Sequence, residues 1–154
     1  MTPRSRTNQL LYQAELLLDT LPGDDEHAEA RRMAAEEGAL ALFELALQSL
    51  LREVTEHARL ERHEWRELLG PEGAGIAELH RLRELAARPD SWLAWLVVRL
   101  EALHSSDGVA RRTSGAAAGL IAVGNATALG DELRWCLAEA KAELAALRET
   151  SQEW

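Results

Sequence analysis

The chain has 154 residues, 47% of them hydrophobic, and a formal net charge of −9 at pH 7. This length is enough for one well-buried core, so we expect a single domain that spans residues 1–154. The negative charge repels a polyphosphate backbone, and the arginines are interleaved with glutamates, which argues against nucleic-acid binding through bulk charge.

Two further features predict a cytoplasmic protein. Cys136 is the single cysteine, so no intrachain disulfide can form, and a reducing compartment fits this composition best. Gln13 and Glu15 interrupt the apolar residues near the N-terminus, and no stretch approaches the ~18 uninterrupted apolar residues of a membrane span. We therefore expect neither a signal peptide nor a transmembrane segment.

The composition predicts an all-α fold. Alanine, leucine, glutamate and arginine dominate and β-branched residues are few, so intrinsic preference favours helix nearly everywhere. We expect a single-domain bundle of five to six helices around one long central helix. The predicted helices span residues 6–21, 25–60, 61–69, 75–88, 90–104 and 131–150.

The first helix follows a short leader and can be capped by Thr7 or Asn8. The second, over residues 25–60, contains no proline and could run for ~50 Å at ~1.5 Å per residue. Its apolar face recurs at alternating steps of four and three: Leu40, Phe43, Leu47, Leu50, Val54 and His57. We expect the other helices to pack along this face.

The helix over residues 90–104, which Asp90 or Ser91 can cap, is apolar nearly all round. Such a helix lies at the centre of a bundle or meets a partner. Residues 105–130 contain five glycines among small residues and predict a long Gly-rich loop. The last helix, residues 131–150, carries one apolar face that should pack against the long helix: Leu133, Cys136, Leu137, Ala140, Leu144 and Leu147.

One pair of residues suggests catalysis. Arg52 and His57 have the Arg-x4-His spacing associated with helical HEPN-type ribonucleases. Within a continuous helix, however, their side chains point about 140° apart, so they do not converge on one phosphate without a break in the helix or a second subunit. Because His57 continues the apolar stripe, a packing role is the simpler interpretation, and we assign no catalytic residue.

A second pair suggests a metal site. Glu101 and His104 have the Glu-x-x-His spacing that di-iron four-helix proteins use, which places both side chains on one helix face. Those proteins need the motif twice, and the nearest second copy, ending at His27, has the shorter Asp in place of Glu. A solvated helix end is the simpler interpretation, so we expect no metal and no other cofactor.

Tryptophans are the residues most suggestive of protein contact, since Trp is favoured in interface anchors. Trp92 and Trp95 lie one turn apart, although a Trp pair at this spacing is more often core than contact. Trp154 ends the sequence, where an aromatic residue suggests docking onto the bundle or onto another subunit. We take these three residues as candidate interaction residues.

Three short segments together resemble a known family: residues 6–14 (RTNQLLYQA), residues 89–96 (PDSWLAWL) and the closing Glu153 and Trp154. They are similar to a family of short bacterial all-helical proteins catalogued as a domain of unknown function. The resemblance implies a helical fold over most of the chain and supplies no catalytic residues.

The leading hypothesis is therefore a non-enzymatic protein-interaction or accessory module that acts through a protein partner or through self-association, for example as a dimer. Two alternatives stay open. One is a metal-independent ribonuclease that uses Arg52 and His57. The other is a small-molecule binder with a pocket under the Gly-rich loop.

Overall fold

The computed structural model describes residues 1–71, 75–111 and 128–152. It confirms the all-α fold, because the described residues form helices and connections and include no strand. The helices are α1 (Pro3–Asp19), α2 (Ala28–Val54), α3 (Trp65–Leu68), α4 (Ala77–Ala87), α5 (Trp92–Leu103) and α6 (Leu129–Gln152). A single 3-10 turn, Glu56–Ala58, follows α2.

Helix α1 begins before the predicted residue 6. Thr2 caps it by accepting a hydrogen bond from the Ser5 amide at 3.1 Å, and Pro3 occupies the first helical position, where its missing N–H costs nothing. Thr7, the predicted cap, is instead buried, and its hydroxyl lies 2.9 Å from that of Ser49 in α2. The residues predicted as a leader therefore form the first turn of the helix.

Helix α2 is shorter than the predicted residues 25–60, spanning 27 residues or about 40 Å. The β-branched Val54 and Thr55 end it: the Thr55 hydroxyl donates to the Leu51 carbonyl at 2.5 Å, and Arg59 adopts a left-handed conformation with φ 48°. The predicted apolar stripe is buried as far as Val54. His57 lies beyond the helix end and is exposed, so its predicted packing role is wrong.

Helices α1 and α2 form an antiparallel pair with the most extensive packing in the fold. Thr7 contacts Ser49 at one end of the pair, and Leu17 packs closely over Gly38 at the other, where an added Cβ would lie 3.1 Å from the leucine. Helices α5 and α6 also pack on the apolar stripe of α2. Phe43, 2% exposed, stacks on Trp92 with ring centroids 6.3 Å apart.

The remaining helices differ from prediction mainly at their ends. Residues 61–64 are not helical, so the helix predicted over 61–69 is reduced to the single turn α3. Ser91 caps α5 by accepting a hydrogen bond from the Ala94 amide at 3.0 Å. Helix α6 begins at Leu129 rather than residue 131 and ends at Gln152.

Most of the predicted Gly-rich loop, residues 112–127, lies outside the described residues. The part preceding it is attached to α2 through Glu37, whose carboxylate accepts hydrogen bonds from the Val109 and Ala110 amides at 2.9 and 3.1 Å. Gly108 has φ 71° and lies against the same carboxylate, so the close approach requires a residue without Cβ.

Ion pairs and hydrogen bonds hold α6 along both of its edges. The basic edge contacts α1 and α2: Arg134 donates to the Leu18 carbonyl, Lys141 pairs with Glu15, and Arg148 pairs with Glu53. The acidic edge contacts α5 and α4: Glu132 pairs with Arg99, and Glu143 pairs with Arg81. The core face of α6 is thereby directed onto the bundle.

None of the described helices combines the length and the apolar character needed to cross a membrane.

Replacing Phe43 with alanine should lower the free energy of unfolding by about 3–5 kcal/mol, because it leaves a cavity against Trp92. The matched control is Leu45→Ala on the same helix, where the side chain is 45% exposed and the expected loss is below about 1 kcal/mol. Urea unfolding followed by circular dichroism measures both. Equal losses in the two variants would contradict the packing described.

Candidate functional site

Arg52 and His57 lie on either side of the end of α2. Arg52 is exposed in the last turn of α2, whereas His57 is exposed in the 3-10 turn that follows. No hydrogen bond or ion pair joins them in the part of the chain that the structure describes. The positive charge of Arg52 acts electrostatically on another histidine, His63.

Glu101 and His104 each have a partner from another element. The Nε2 atom of His104 lies 2.8 Å from a carboxylate oxygen of Glu44, which also accepts a hydrogen bond from the Trp65 indole at 2.9 Å. Glu101 pairs with Arg66 at 3.2 Å. Glu101 and His104 therefore join α2, α3 and α5 to one another. Over residues 1–71, 75–111 and 128–152 no group of three His, Cys, Asp or Glu side chains is placed to hold a metal ion.

Of the candidate interaction tryptophans, Trp92 is buried and Trp95 is only partly accessible. Trp92 is 5% exposed and is part of the core. Trp95 is half-buried, with the guanidinium carbon of Arg99 5.2 Å from its ring centroid. Trp154 lies outside the described residues, as does most of the loop under which a small-molecule pocket was predicted. The spacing of Trp92 and Trp95 thus reflects packing of α5 on the bundle.

An apolar surface that the sequence analysis did not single out runs along α6. At about 100° per residue, four exposed apolar side chains point away from the core face and between the two paired edges, and Trp135 among them retains 43% of its accessible surface. The exposed carboxylates of Asp131 and Glu149 point the same way nearer the two ends of α6. We call this surface the α6 outer face: Trp135, Ala138, Ala142 and Ala145.

A groove of about 310 Å³ adjoins the α6 outer face on the side of the α4–α5 connection. Trp135 and Ala142 form one wall, while Leu85 and Trp92 contribute apolar surface from the other side. The groove is also lined by exposed charges of both signs, from Arg88, Asp90 and Glu139. An exposed tryptophan therefore lies directly beside a cavity with apolar and charged walls. We call this cavity the α6 groove.

Charged side chains at the α6 groove differ in how they are paired. Glu143 is bound to Arg81 at 2.7 Å. No ion pair forms at Arg88, Asp90 or Glu139 within the described ranges 1–71, 75–111 and 128–152. These three charges are consequently accessible to a second molecule.

Cys136 lies on the opposite, core side of α6 and is fully buried. Its thiol donates to the Trp92 carbonyl at 3.4 Å. Desolvation, together with the negative charge of Glu139, raises the pKa of this thiol well above its ordinary value. The buried side chain therefore remains protonated and acts as a small apolar core residue, as its place on the core face predicts.

His63 provides a test of the charge on Arg52. Burial and, second, the Arg52 guanidinium hold the pKa of His63 below its ordinary value. Since the unfolded chain then binds a proton more readily than the folded one, this histidine reduces stability as the pH falls below about 6.5. We expect Arg52→Gln to raise the pKa of His63 toward its ordinary value without reaching it, because His63 is still partly buried in the variant.

An NMR titration of the histidine ring signals measures this change directly. The matched control is Arg31→Gln, which removes the same charge about 30 Å away at the opposite end of α2 and should leave the pKa of His63 unchanged. Equal shifts in both variants would contradict the local influence of Arg52.

Comparison with known proteins identifies a family without an assigned activity. No curated protein and no solved structure matches the chain. A sequence profile of one family matches residues 1–154, which is the whole chain. The chain therefore belongs to a family of unknown function, DUF6586.

Proposed function

We propose that this protein is a non-enzymatic interaction module that self-associates through the α6 outer face. The observation that carries the proposal is the exposure of Trp135 within a row of exposed alanines, beside the α6 groove. Tryptophan anchors dominate the energy of many interfaces. The small side chains of the alanines along the same face allow a second helix to approach closely.

The charges near Trp135 favour a second copy of the chain as the partner. A twofold interface requires a surface that is complementary to itself. The α6 groove carries both signs, with Arg88 on the α4–α5 connection and Glu139 on α6. We expect Arg88 of one copy to approach Glu139 of the other copy. Each Trp135 would then enter the α6 groove of the other copy.

Trp92 is part of the core, so Trp135 takes its place as the tryptophan anchor of the proposed contact. Both edges of α6 are occupied by contacts within the chain, so the outer face between them is what α6 offers to a second molecule. The single buried cysteine supports placing this module in a reducing compartment, the cytoplasm.

Light scattering across a dilution series should show a concentration-dependent dimer. Trp135→Ala is expected to weaken dimerisation about 1,000-fold, because a twofold dimer loses two tryptophan anchors worth about 2 kcal/mol each. The matched control is Tyr12→Ala, which removes another exposed aromatic side chain from α1 and should leave dimerisation unchanged. A monomer at all concentrations up to about 1 mM would contradict the proposal.

A charge exchange tests the expected orientation of the two copies. Arg88→Glu and Glu139→Arg should each weaken the dimer by placing like charges together, and the double variant should recover most of the lost affinity. Dimerisation that responds to Trp135→Ala without this recovery would support the α6 outer face and contradict the pairing of Arg88 with Glu139.

A further inference from the structure

A second groove, of about 370 Å³, lies between the start of α1 and the C-terminal half of α2. Its size falls within the range of small-molecule sites. We call it the α1–α2 groove, and the residues that carry the argument are Arg6, Leu10, Leu45, Gln48 and Arg52.

Buried hydrogen bonds fix the two helices that form this groove. The Thr7 hydroxyl donates to the Ser49 hydroxyl at 2.9 Å, and the Ser49 hydroxyl donates to the Pro3 carbonyl at 3.0 Å. Thr7 and Ser49 are both buried, so this link is shielded from water. The groove is therefore already formed in the folded chain, which lowers the entropic cost of binding.

Positive charge in the groove is not neutralised by the protein. Arg6 and Arg52 are both exposed, and no acidic residue lines the groove, although the chain as a whole carries a net charge of −9. Arg6 donates to the neutral side chain of Gln9 at 2.6 Å. Neither guanidinium forms an ion pair within the described part of the chain. Guanidinium groups placed in this way favour an oxyanion.

Apolar surface accompanies these charges. Leu45 is 45% exposed although it lies well inside α2, and Leu10 contributes a buried side chain to the same groove. The Gln48 amide adds a neutral hydrogen-bonding group. A ligand that fits these walls has an anionic end and an apolar end.

We propose that the α1–α2 groove binds a small organic anion, with a carboxylate or phosphate head held by Arg6 and Arg52 and an apolar tail packed against Leu10 and Leu45. The site is separate from the α6 outer face, so binding here does not depend on self-association.

Isothermal titration calorimetry of the full chain tests this proposal with four probes. Octanoate and octyl phosphate share a tail and differ in the head group. The probe that binds with the higher affinity therefore identifies the preferred oxyanion. Inorganic phosphate lacks the tail, and octylamine carries the same tail with a positive head. We expect octanoate or octyl phosphate to bind at least tenfold more tightly than either of these two.

Substitutions locate the binding in the groove. Arg6→Gln and Arg52→Gln should each weaken binding of the preferred probe about tenfold or more, because each removes a charge-assisted hydrogen bond. Leu45→Asn should weaken binding through the tail and leave that of inorganic phosphate unchanged. Arg31→Gln, at the far end of α2, removes an equal charge and should have no effect.

Three results would overturn the proposal: no binding of octanoate and octyl phosphate, equal binding of octylamine, or affinities that Arg6→Gln and Arg52→Gln leave unchanged. The substituted side chains are exposed, so the variants should fold, and circular dichroism checks this. Equal affinity for inorganic phosphate and octyl phosphate would also contradict it, since the tail would then contribute nothing.

Discussion

Stacking of Phe43 on Trp92 is the contact on which the arrangement of the later helices depends. Phe43 lies near the middle of α2 and Trp92 is the first residue of α5, so their contact places the start of α5 on the long helix. The carbonyl of Trp92 accepts the hydrogen bond from Cys136, which positions α6 as well. Because α6 is then paired along both edges, the side that carries Trp135 is left facing solvent.

The core of this fold could be predicted from the sequence because hydrophobic periodicity records which face is buried. The stripe from Leu40 to Val54 is an example, and all five of its predicted apolar members are buried. Helix ends were harder to predict, since single residues decide them. The cap at Thr2 starts α1 earlier than periodicity suggests, and the β-branched Val54 and Thr55 end α2 earlier.

Candidate sites were less predictable because they depend on which surfaces meet. Trp92 and Trp135 are the same residue type, yet one is core and the other is exposed. Alanine occurs both in buried cores and on exposed surfaces. The alanines beside Trp135 can therefore be assigned to a surface only once the packing of α6 is known. Arg6 and Arg52 are distant in sequence, and the antiparallel pairing of α1 and α2 brings them to one groove. Family membership adds no activity that would have located these surfaces.

Contact between two copies of the chain through the α6 outer face is tested most directly by a distance measured between the copies. A nitroxide spin label can be attached at Tyr12→Cys, which is exposed on α1 outside the α6 outer face, because the native Cys136 is fully buried and protected from labelling. Pulsed electron paramagnetic resonance should then report one defined distance between labels, and that distance should disappear in Trp135→Ala. The absence of any defined distance, or a distance that persists in Trp135→Ala, would contradict the account.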